Sequence, residues 1–494
     1  MIERLIEFCA RNRFLVALAT LFAVAGSWFA IRTAPLDAIP DLSDPQVIVY
    51  TEWMGRSPSL VEDQITYPIT STLLSAPHVT DVRGFSMFGM SFVYVLFDEG
   101  TDIYWARSRV LEYLSGLRSQ LPEGVEPQLG PDATGVGWVF QYALVDRSGR
   151  SDLAELRTFQ DYTLKYALTA VPGVAEVASV GGHEKQYQVT VDPNRLRAYG
   201  ITLSDVASAI RRSNRDVGGR VLEMSGREYM VRGRGYVESL ADIEKVTVKA
   251  SPEGTPVLVR DVATVSFGGD IRRGVAELDG DGEVVGGIVV MRHGENARQV
   301  IERVRARLEE LKPSFPEGVD YVVTYDRSDL IDRAVETLSH TLVEEGIVVA
   351  LVLFVFLLHF RSTLVPIVVL PIAVAVAFIP MKLLGITSNI MSLGGIAIAI
   401  GAMVDATIVL VENAHKKLER ARPRTAAERT DVIIAAAKEV GPAIFFSLLI
   451  VTVSFLPVFA LEGQAGRLFK PLAFTKSFAM FFAAILGVTL APTL

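Results

Sequence analysis

Residues 391–413 read MSLGGIAIAIGAMVDATIVLVEN and place one carboxylate, Asp405, inside an apolar run long enough to cross a membrane. The small residues that precede Asp405 favour close packing between membrane helices. Asp405 precedes Glu412 by two helical turns, so both side chains project from about the same face, with Asp405 roughly 10 Å deeper along the helix axis. The sequence therefore predicts a membrane helix that carries a buried acid.

A mid-membrane aspartate such as Asp405 is costly, by roughly 2.5 to 3.5 kcal/mol on insertion scales. Because desolvation favours the neutral carboxyl group, such a residue can load and release a proton, as a proton relay requires. The alternatives are a static ion pair with a neighbouring helix and a helix end that reaches water. We predict the relay role for Asp405. Glu412 is a second relay candidate, but its position beside Asn413 and a basic loop favours the helix-end role.

The composition agrees with a membrane protein and excludes other classes. Half of the 494 residues are hydrophobic, and the formal net charge is -8 at pH 7. A nucleic-acid partner needs an excess of Lys and Arg, which this chain lacks. The single cysteine, Cys9, cannot form an internal disulfide, and the 6 histidines show no spacing typical of zinc sites. The sequence contains no phosphate-binding Gly-x-x-x-x-Gly-Lys-Ser/Thr motif, so nothing in it points to ATP as an energy source.

The hydropathy pattern predicts six membrane segments. They are residues 14–31, 346–360, 362–381, 383–411, 440–461 and 477–494. Residues 34–332 contain no run that could cross a bilayer and are expected to be exposed to water. Lys and Arg crowd residues 416–438, which predicts a cytosolic loop there. Counting the crossings backward places the amino terminus in the cytosol and residues 34–332 on the far side of the membrane.

The water-exposed region reads as two copies of a split βαβ pattern. The first copy has predicted strands at 46–53, 79–86 and 92–97 and predicted helices at 59–74 and 103–117. The second has strand 139–145, helix 152–170 and strands 174–180 and 186–191. Residues 181–270 are richer in Gly and look inserted before the later half of the second copy, with Gly218-Gly219 and Gly268-Gly269 predicted as turns. The predicted fold class is an α+β membrane protein.

Five stretches, spread over the whole chain, resemble the heavy-metal efflux branch of the resistance-nodulation-division transporters. They are residues 35–47, 130–138, 173–182, the Asp405 helix and 462–469. The resemblance implies a bundle of twelve membrane helices, of which this chain would supply the first six. It also implies ferredoxin-like porter subdomains and a docking subdomain in the periplasm of a multi-pass protein of the bacterial inner membrane.

The same resemblance implies domain boundaries. Residues 1–33 would form the cytosolic amino terminus and the first membrane helix, and residues 331–494 would form membrane helices 2–6. The first porter subdomain would span 34–133, the second 134–180 together with 271–330, and the docking subdomain 181–270.

For function, the resemblance implies a secondary transporter, not an enzyme: it would export heavy-metal cations in exchange for protons and use no cofactor. Asp405 matches the family's proton-relay aspartate, and Met391 and Met403 match methionines of a proposed path for the transported metal ion. The partners implied are further copies in a homotrimer, a periplasmic adaptor protein, an outer-membrane channel protein and membrane lipid, with no nucleic acid.

The ion predicted first is Cu(I) or Ag(I), because thioether sulfur is a soft ligand, although a methionine in a membrane helix more often serves packing. Copper and silver members carry methionine where this chain has Ile271, Leu410 and Leu486, so the thioether path is incomplete. Divalent-metal members carry a second acid where Ala399 stands, which favours monovalent ions. The alternatives are export of zinc, cobalt, nickel or cadmium, export of organic compounds, and a non-transporting membrane scaffold.

Overall fold

The computed structural model describes residues 1–34, 36–37, 39–250, 254–272, 274–357 and 360–494. Within its helices, the side chains at 338–339, 341–342, 345, 353, 356–357, 360–363 and 405–406 lie outside this description. The chain begins with α1 (Ile2–Arg11), an amphipathic helix, and α2 (Arg13–Thr33), which is apolar. The α+β region that follows confirms the predicted fold class.

The first sheet contains β1 (Gln46–Glu52), β2 (Val79–Met87), β3 (Met90–Phe97) and β4 (Gln128–Leu129), in the order β2–β3–β1–β4. The helices α3 (Pro58–Val61), α4 (Tyr67–Leu73) and α5 (Ile103–Leu117) cover one face of it. Val47, Val49, Val93 and Val95 alternate along β1 and β3 and are buried beneath these helices. The alternation that predicts strands thus also decides which face of the sheet the helices cover.

The second unit starts with β5 (Trp138–Asp146), α6 (Leu153–Phe159), α7 (Lys165–Thr169) and β6 (Val174–Gly181). The chain then leaves this sheet for a separate set of elements. These are β7 (Lys185–Val191), α8 (Pro193–Tyr199), α9 (Leu203–Ser213), β8 (Val217–Met224), β9 (Arg227–Gly233), α10 (Leu240–Glu244), β10 (Thr247–Ala250), β11 (Pro256–Leu258), α11 (Val259–Val262) and β12 (Ala263–Gly269).

The second sheet is completed by β13 (Val285–Met291), α12 (Ala297–Leu311) and β14 (Val319–Asp326), in the order β14–β5–β13–β6. This order repeats that of the first sheet. The prediction that residues 186–191 belong to the second βαβ copy is wrong, because β7 pairs with β12 along its whole length. Strand propensity predicts that these residues form a strand, but it does not predict which strand they pair with. The partner lies about 80 residues further along the chain, and its choice depends on tertiary packing.

The two glycine pairs predicted as turns lie instead within strands β8 and β12. A Cβ on Gly268 would come within 2.2 Å of the Gln188 side chain on β7, and one on Gly219 within 2.7 Å of the Val231 carbonyl oxygen on β9. The absence of a side chain therefore allows close cross-strand approach rather than a turn.

Both units carry a π-helical turn at the same place, Glu62–Thr66 before α4 and Gln160–Leu164 between α6 and α7. In each, a polar side chain of the π turn reaches the sheet. The Thr66 hydroxyl hydrogen bonds to the Ser91 hydroxyl at 2.8 Å. The Tyr142 hydroxyl donates to Gln160 Oε1 at 2.9 Å, and burial raises the pKa of the Tyr142 phenol, which keeps it a donor. The two units therefore share the π-helical turn as well as the strand order.

Five long helices complete the chain: α13 (Arg327–Leu357), α14 (Phe360–Leu383), α15 (Ile390–Ala421), α16 (Ala426–Val453) and α17 (Gly463–Thr489). Among the described residues, 5 helical stretches are long and apolar enough to cross a membrane. They are Arg13–Thr33, Leu364–Leu383, Ile390–Ala421, Ala426–Ala460 and Gly463–Thr493. The predicted segment 346–360 begins inside α13 and runs over residues 358–359, which lie outside the described residues.

The membrane helices begin and end at different residues from those predicted. The segment predicted from residue 383 starts at Ile390, because Gly385 adopts a left-handed conformation and ends α14. The last two helices start earlier than predicted, at Ala426 and Gly463, because polar and charged residues such as Glu428 and Arg467 extend their amino-terminal turns beyond the apolar run. Hydropathy detects only the part of a helix that lies in lipid.

The amphipathic helix α1 packs against the first turns of α16. Lys438 Nζ lies 2.6 Å from Glu7 Oε2, and Arg13 Nη2 donates to the Thr430 hydroxyl at 2.9 Å. The hydrogen bond from Lys438 is the largest cause of a lowered pKa at Glu7, followed by that from Arg11. The amino terminus and the basic segment after α15 therefore lie on the same side of the helix bundle, as the charge distribution predicts.

Tyr142→Phe is expected to destabilise the second unit by about 1–3 kcal/mol, because Gln160 is fully buried and would lose its donor. The apparent melting temperature of the purified chain in detergent should fall by about 2–4 °C per kcal/mol. Tyr187→Phe is the control, since Tyr187 is 47% exposed and should leave the melting temperature unchanged. Equal melting temperatures for Tyr142→Phe and the unmodified chain would contradict the role given to this hydrogen bond.

Candidate functional site

The helix α15, which carries most of the predicted site residues, has a buried and fully capped start. The side-chain oxygen of Asn389, Oδ1, accepts hydrogen bonds from the backbone amides of Met391 and Ser392 at 3.0 and 3.1 Å. In return, the backbone amide of Asn389 donates to the Ser392 hydroxyl at 2.8 Å. Asn389 and Ser392 are each 1% exposed. Because a buried cap of this kind fixes where a helix starts, it also fixes the position of every later residue along α15.

Asp405 lies in α15, roughly 23 Å along the axis from its first residue. The side chain of Asp405 lies outside the described residues, so its relay role stays a prediction. The described positions around it are mixed: Met403 is 0%, Val404 9% and Thr407 6% exposed, whereas Ile398 and Val409, on the same helical face as Asp405, are 49% and 47% exposed. In this chain the helical face that carries position 405 is therefore partly exposed at its described positions, and the buried neighbours lie on the adjoining face.

Glu412 lies two turns nearer the basic end of α15. Its side chain is 49% exposed, and Lys416 Nζ lies 2.5 Å from Glu412 Oε1 one turn further along. An exposed i,i+4 pair of this kind contributes little to stability and needs no special environment. This geometry favours the helix-end role for Glu412.

Met391 and Met403 are separated by twelve residues, about 18 Å along the α15 axis. One ion cannot contact both sulfur atoms, so the two methionines could serve only as successive positions on a path. Met403 is fully buried in the same hydrophobic cluster as Met480 of α17, while Met391 is partly buried near the capped end. Packing accounts for Met403 in the chain as it stands, and its role as a ligand remains a prediction.

The small residues of α15 allow close contact with α17. A Cβ on Gly395 would come within 2.6 Å of the Leu472 carbonyl oxygen, and Ala399, one turn deeper, is 0% exposed. The predicted close helix packing is thus present on this face of α15. Because Ala399 is fully buried, a longer acidic side chain at this position would require its neighbours to move.

Lys476 is a candidate functional residue that the hydropathy pattern missed, because the predicted span began one residue after it. It lies in α17, within a stretch apolar enough to cross a membrane, and is 5% exposed. Its Nζ lies 3.1 Å from the centroid of the Phe455 ring. Among side chains that the structure describes, no carboxylate lies within ion-pair distance of Lys476. A single cation next to an apolar run is the signal that could have identified it.

The linker between α2 and β1 joins the membrane helices to the second sheet through Arg327. Arg327 is 4% exposed, lies where β14 ends and α13 begins, and pairs with Asp37 at 2.8 Å. Its other terminal nitrogen donates to the Val136 carbonyl. The Asp37 amide donates to the Ser388 carbonyl oxygen at 3.0 Å, directly before the cap of α15.

A second set of contacts connects the same linker to α17. Arg467 donates to the Leu42 carbonyl oxygen and to Asp44 Oδ1, each at 2.8 Å. The Gly135 amide donates to the Ser43 hydroxyl at 3.2 Å. Three of the stretches quoted for the family resemblance, residues 35–47, 130–138 and 462–469, therefore meet at one place. The sequence places these stretches far apart and does not predict their contact.

No conventional metal centre is present in the part of the chain that the structure describes. No group of three or more His, Cys, Asp or Glu side chains lies close enough there to hold a metal ion. Burial raises the pKa of the Cys9 thiol, which disfavours the thiolate form that binds soft metals.

Comparison with known proteins identifies close relatives. Residues 5–494 match the model of the AcrB/AcrD/AcrF family. The chain is 56% identical over 501 residues to the cation efflux system protein CusA of Escherichia coli K12 and to the putative cation efflux system protein SilA of Salmonella typhimurium. It is 38% identical over 505 residues to the cobalt-zinc-cadmium resistance protein CzcA of Cupriavidus metallidurans.

Each of these alignments covers 100% of this chain and 47–48% of the relative. The crystal structure of a heavy metal efflux pump superimposes with a TM-score of 0.88 at 32% identity, covering 99% of this chain and 48% of the pump. The chain thus spans about half the length of the relatives that it matches.

Arg467→Met is expected to loosen the linker, because hydrogen bonds to a charged group contribute about 1.5–3 kcal/mol each. Amide hydrogen exchange in residues 39–45 should become roughly tenfold faster, which corresponds to ~1.4 kcal/mol of lost local protection. Arg195→Met is the matched control, since Arg195 forms only an exposed pair with Asp192 at 3.5 Å. Unchanged exchange in residues 39–45 would show that Arg467 does not hold the linker.

Proposed function

This chain belongs to the AcrB/AcrD/AcrF family of resistance-nodulation-division proteins, and we propose that it forms the amino-terminal half of an inner-membrane pump that exports Cu(I) or Ag(I) in exchange for protons. The observation that carries this proposal is the 56% identity to cation efflux proteins along the entire chain. Identity to the cobalt-zinc-cadmium relative is lower, at 38%. The carboxyl-terminal half of the pump would be supplied by a sequence of similar length.

Proton coupling is assigned to Asp405. A carboxylate within the apolar run of α15 can alternate between a neutral and a charged form, and each form favours a different local hydration and packing. The contacts of Asp37 with Ser388 and Arg327 link the start of α15 to the second sheet. A change at Asp405 that shifts α15 would therefore act on the region through which the metal leaves.

The choice of a monovalent soft cation rests on donor chemistry. Thioethers are neutral, soft ligands that suit Cu(I) and Ag(I), whereas carboxylates suit harder divalent ions. The fully buried position 399 of α15 holds a methyl group rather than an acid. Met391 and Met403 are the methionines of α15 proposed to lie on the ion path.

The architecture proposed for the complete pump extends the described fold. Each four-stranded sheet has the strand order of a ferredoxin-like porter subdomain, and residues 181–270 would form the docking subdomain. We assign α13 as a further membrane helix, the second in chain order, which brings the number in this half to six. Ile347, Val348, Leu351 and Phe354 on that helix are 49–61% exposed, as expected for a surface that faces lipid.

Self-association into a homotrimer is supported by the β8–β9 hairpin. Every residue of both strands is exposed, including Leu222, Met224, Tyr229 and Met230. An isolated two-stranded hairpin is marginally stable in water, so a second copy of the chain is proposed to cover it. The periplasmic adaptor and the outer-membrane channel are proposed partners of the assembled trimer.

Asp405→Asn in the complete protein should reduce silver-dependent proton flux in liposomes to the level of empty vesicles, because the amide cannot exchange a proton. Glu412→Gln should retain most of the flux if Glu412 is a helix-end residue. Asp431→Asn, at an exposed carboxylate paired with Arg11, is the control and should behave as the unmodified protein.

Flux that survives Asp405→Asn would refute the relay assignment. Flux stimulated by zinc or cobalt but not by silver would favour the divalent-metal exporter instead, as the similarity to the cobalt-zinc-cadmium relative allows. Absence of any metal-stimulated flux in the unmodified protein would favour organic-compound export or a scaffold.

Leu222→Asp combined with Met230→Asp should lower the trimer fraction several-fold, because two charges would be buried at the proposed interface. Native mass spectrometry of the complete protein in detergent measures this fraction. Leu203→Asp is the control, since Leu203 is 63% exposed at the start of α9, where an acid is favourable. Equal trimer fractions for the hairpin variant and the control would remove the hairpin from the interface.

A further inference from the structure

Two methionines flank the tight turn between β2 and β3. Met87 and Met90 are direct register partners on either side of Phe88-Gly89. Cross-strand partners project from the same face, with Cβ atoms roughly 4.5–5.5 Å apart. Glu52 is the register partner of Met90 on β1. Glu52, Met90 and Met87 therefore form one row across three adjacent strands at the end of the first sheet.

A third methionine, Met54, lies against the same turn. The Trp53 amide donates to the Gly89 carbonyl oxygen at 2.9 Å, and the Gly89 amide donates to the Arg56 carbonyl oxygen at 2.9 Å. Gly89 has φ of +67°, and the Met54 sulfur lies 3.2 Å from the position that a Cβ on Gly89 would occupy. The missing side chain at Gly89 thus leaves room for the Met54 thioether against the turn that joins Met87 to Met90.

The row lies on the open face of the sheet. Ser86 and Ser91, the next pair along the strands, point the other way and hydrogen bond to Thr66 beneath the helices. Met54 and Met87 are 47% and 52% exposed. An ion in solution can therefore reach the sulfur atoms, which would not hold for methionines packed in the core.

The donor set suits one class of ion. Methionine side chains have three rotatable bonds, so neighbouring thioethers can converge on one centre. Neutral sulfur ligands select Cu(I) and Ag(I) over harder divalent ions. Glu52 adds a carboxylate to the row, whereas the Arg56 guanidinium stacks over the Trp53 ring, which packs toward the helix-covered core. We propose that Met54, Met87 and Met90 form a surface binding site for Cu(I) or Ag(I) at this end of the first sheet.

This site is separate from the methionines of the membrane helices. It rests on the proposed function only for the identity of the ion that reaches it, since its ligands belong to the water-exposed region. Its place on the first porter unit would let it hold an ion outside the membrane helices.

Silver binding to the purified chain tests the site. Ag(I) alone is titrated by equilibrium dialysis, and bound metal is counted for the unmodified chain and for the triple variant Met54→Leu, Met87→Leu and Met90→Leu. The variant is expected to bind one equivalent fewer. The control Met224→Leu with Met230→Leu removes two other exposed methionines and should keep that equivalent. Circular dichroism checks that each variant is folded.

A second readout reports the three ligands directly. With 13C-labelled methionine methyl groups, the signals of Met54, Met87 and Met90 should shift together on the first equivalent of Ag(I), and assignments follow from the single Leu variants. Equal silver stoichiometry in the triple variant and the unmodified chain, or methyl signals that do not move together, would overturn the site.

The site and the proposed function fail separately. Loss of one silver equivalent in the triple variant, with flux that survives Asp405→Asn, would support the site and refute the relay. Flux that requires Asp405, with unchanged silver stoichiometry in the triple variant, would support the relay and refute the site.

Discussion

A buried guanidinium, that of Arg327, holds the water-exposed region onto the membrane helices. It stands where β14 becomes α13, so the second sheet and a long helix are one continuous piece of backbone. A charge that is 4% exposed must be paired, because breaking a buried pair typically costs 3–5 kcal/mol. Asp37 from the linker supplies the pairing carboxylate and the Val136 carbonyl a further acceptor. The linker therefore has a fixed position between the two regions.

The linker also contacts the helix that carries Asp405. Its Asp37 amide bonds to Ser388, the residue before the Asn389 cap, while Leu42 and Asp44 hold Arg467 on α17. These contacts form a contiguous path from the start of α15 to the first strand of the first sheet. A path of contacts shows how a shift could be transmitted, and a measured coupling between the two ends is what would establish transmission.

The two units of the water-exposed region show how a repeat diverges while its core stays the same. Both keep the same strand order and a π-helical turn whose polar side chain reaches the sheet. In the first unit, β2 and β3 are joined by a two-residue turn flanked by Met87 and Met90, whereas the second unit is interrupted after β6 by the elements from β7 to β12. The repeated core provides stability, and the differences lie at strand ends and loops, where packing constrains the sequence least.

The sequence by itself determined the presence of several long apolar helices, most of the repeated βαβ elements and the place of Asp405 in its helix. These depend on local periodicity and hydrophobicity: the predicted helix 103–117 and α5 have the same limits, and the predicted strands agree with the observed ones to within two residues. Only the tertiary structure decided that β7 pairs with β12, that Arg327 and Arg467 meet the linker, and that Lys476 is buried. It alone placed Met54 against the turn between Met87 and Met90. Strand pairing, buried ion pairs and converging ligands join residues that are distant along the chain, and their free energy depends on packing that no local pattern records.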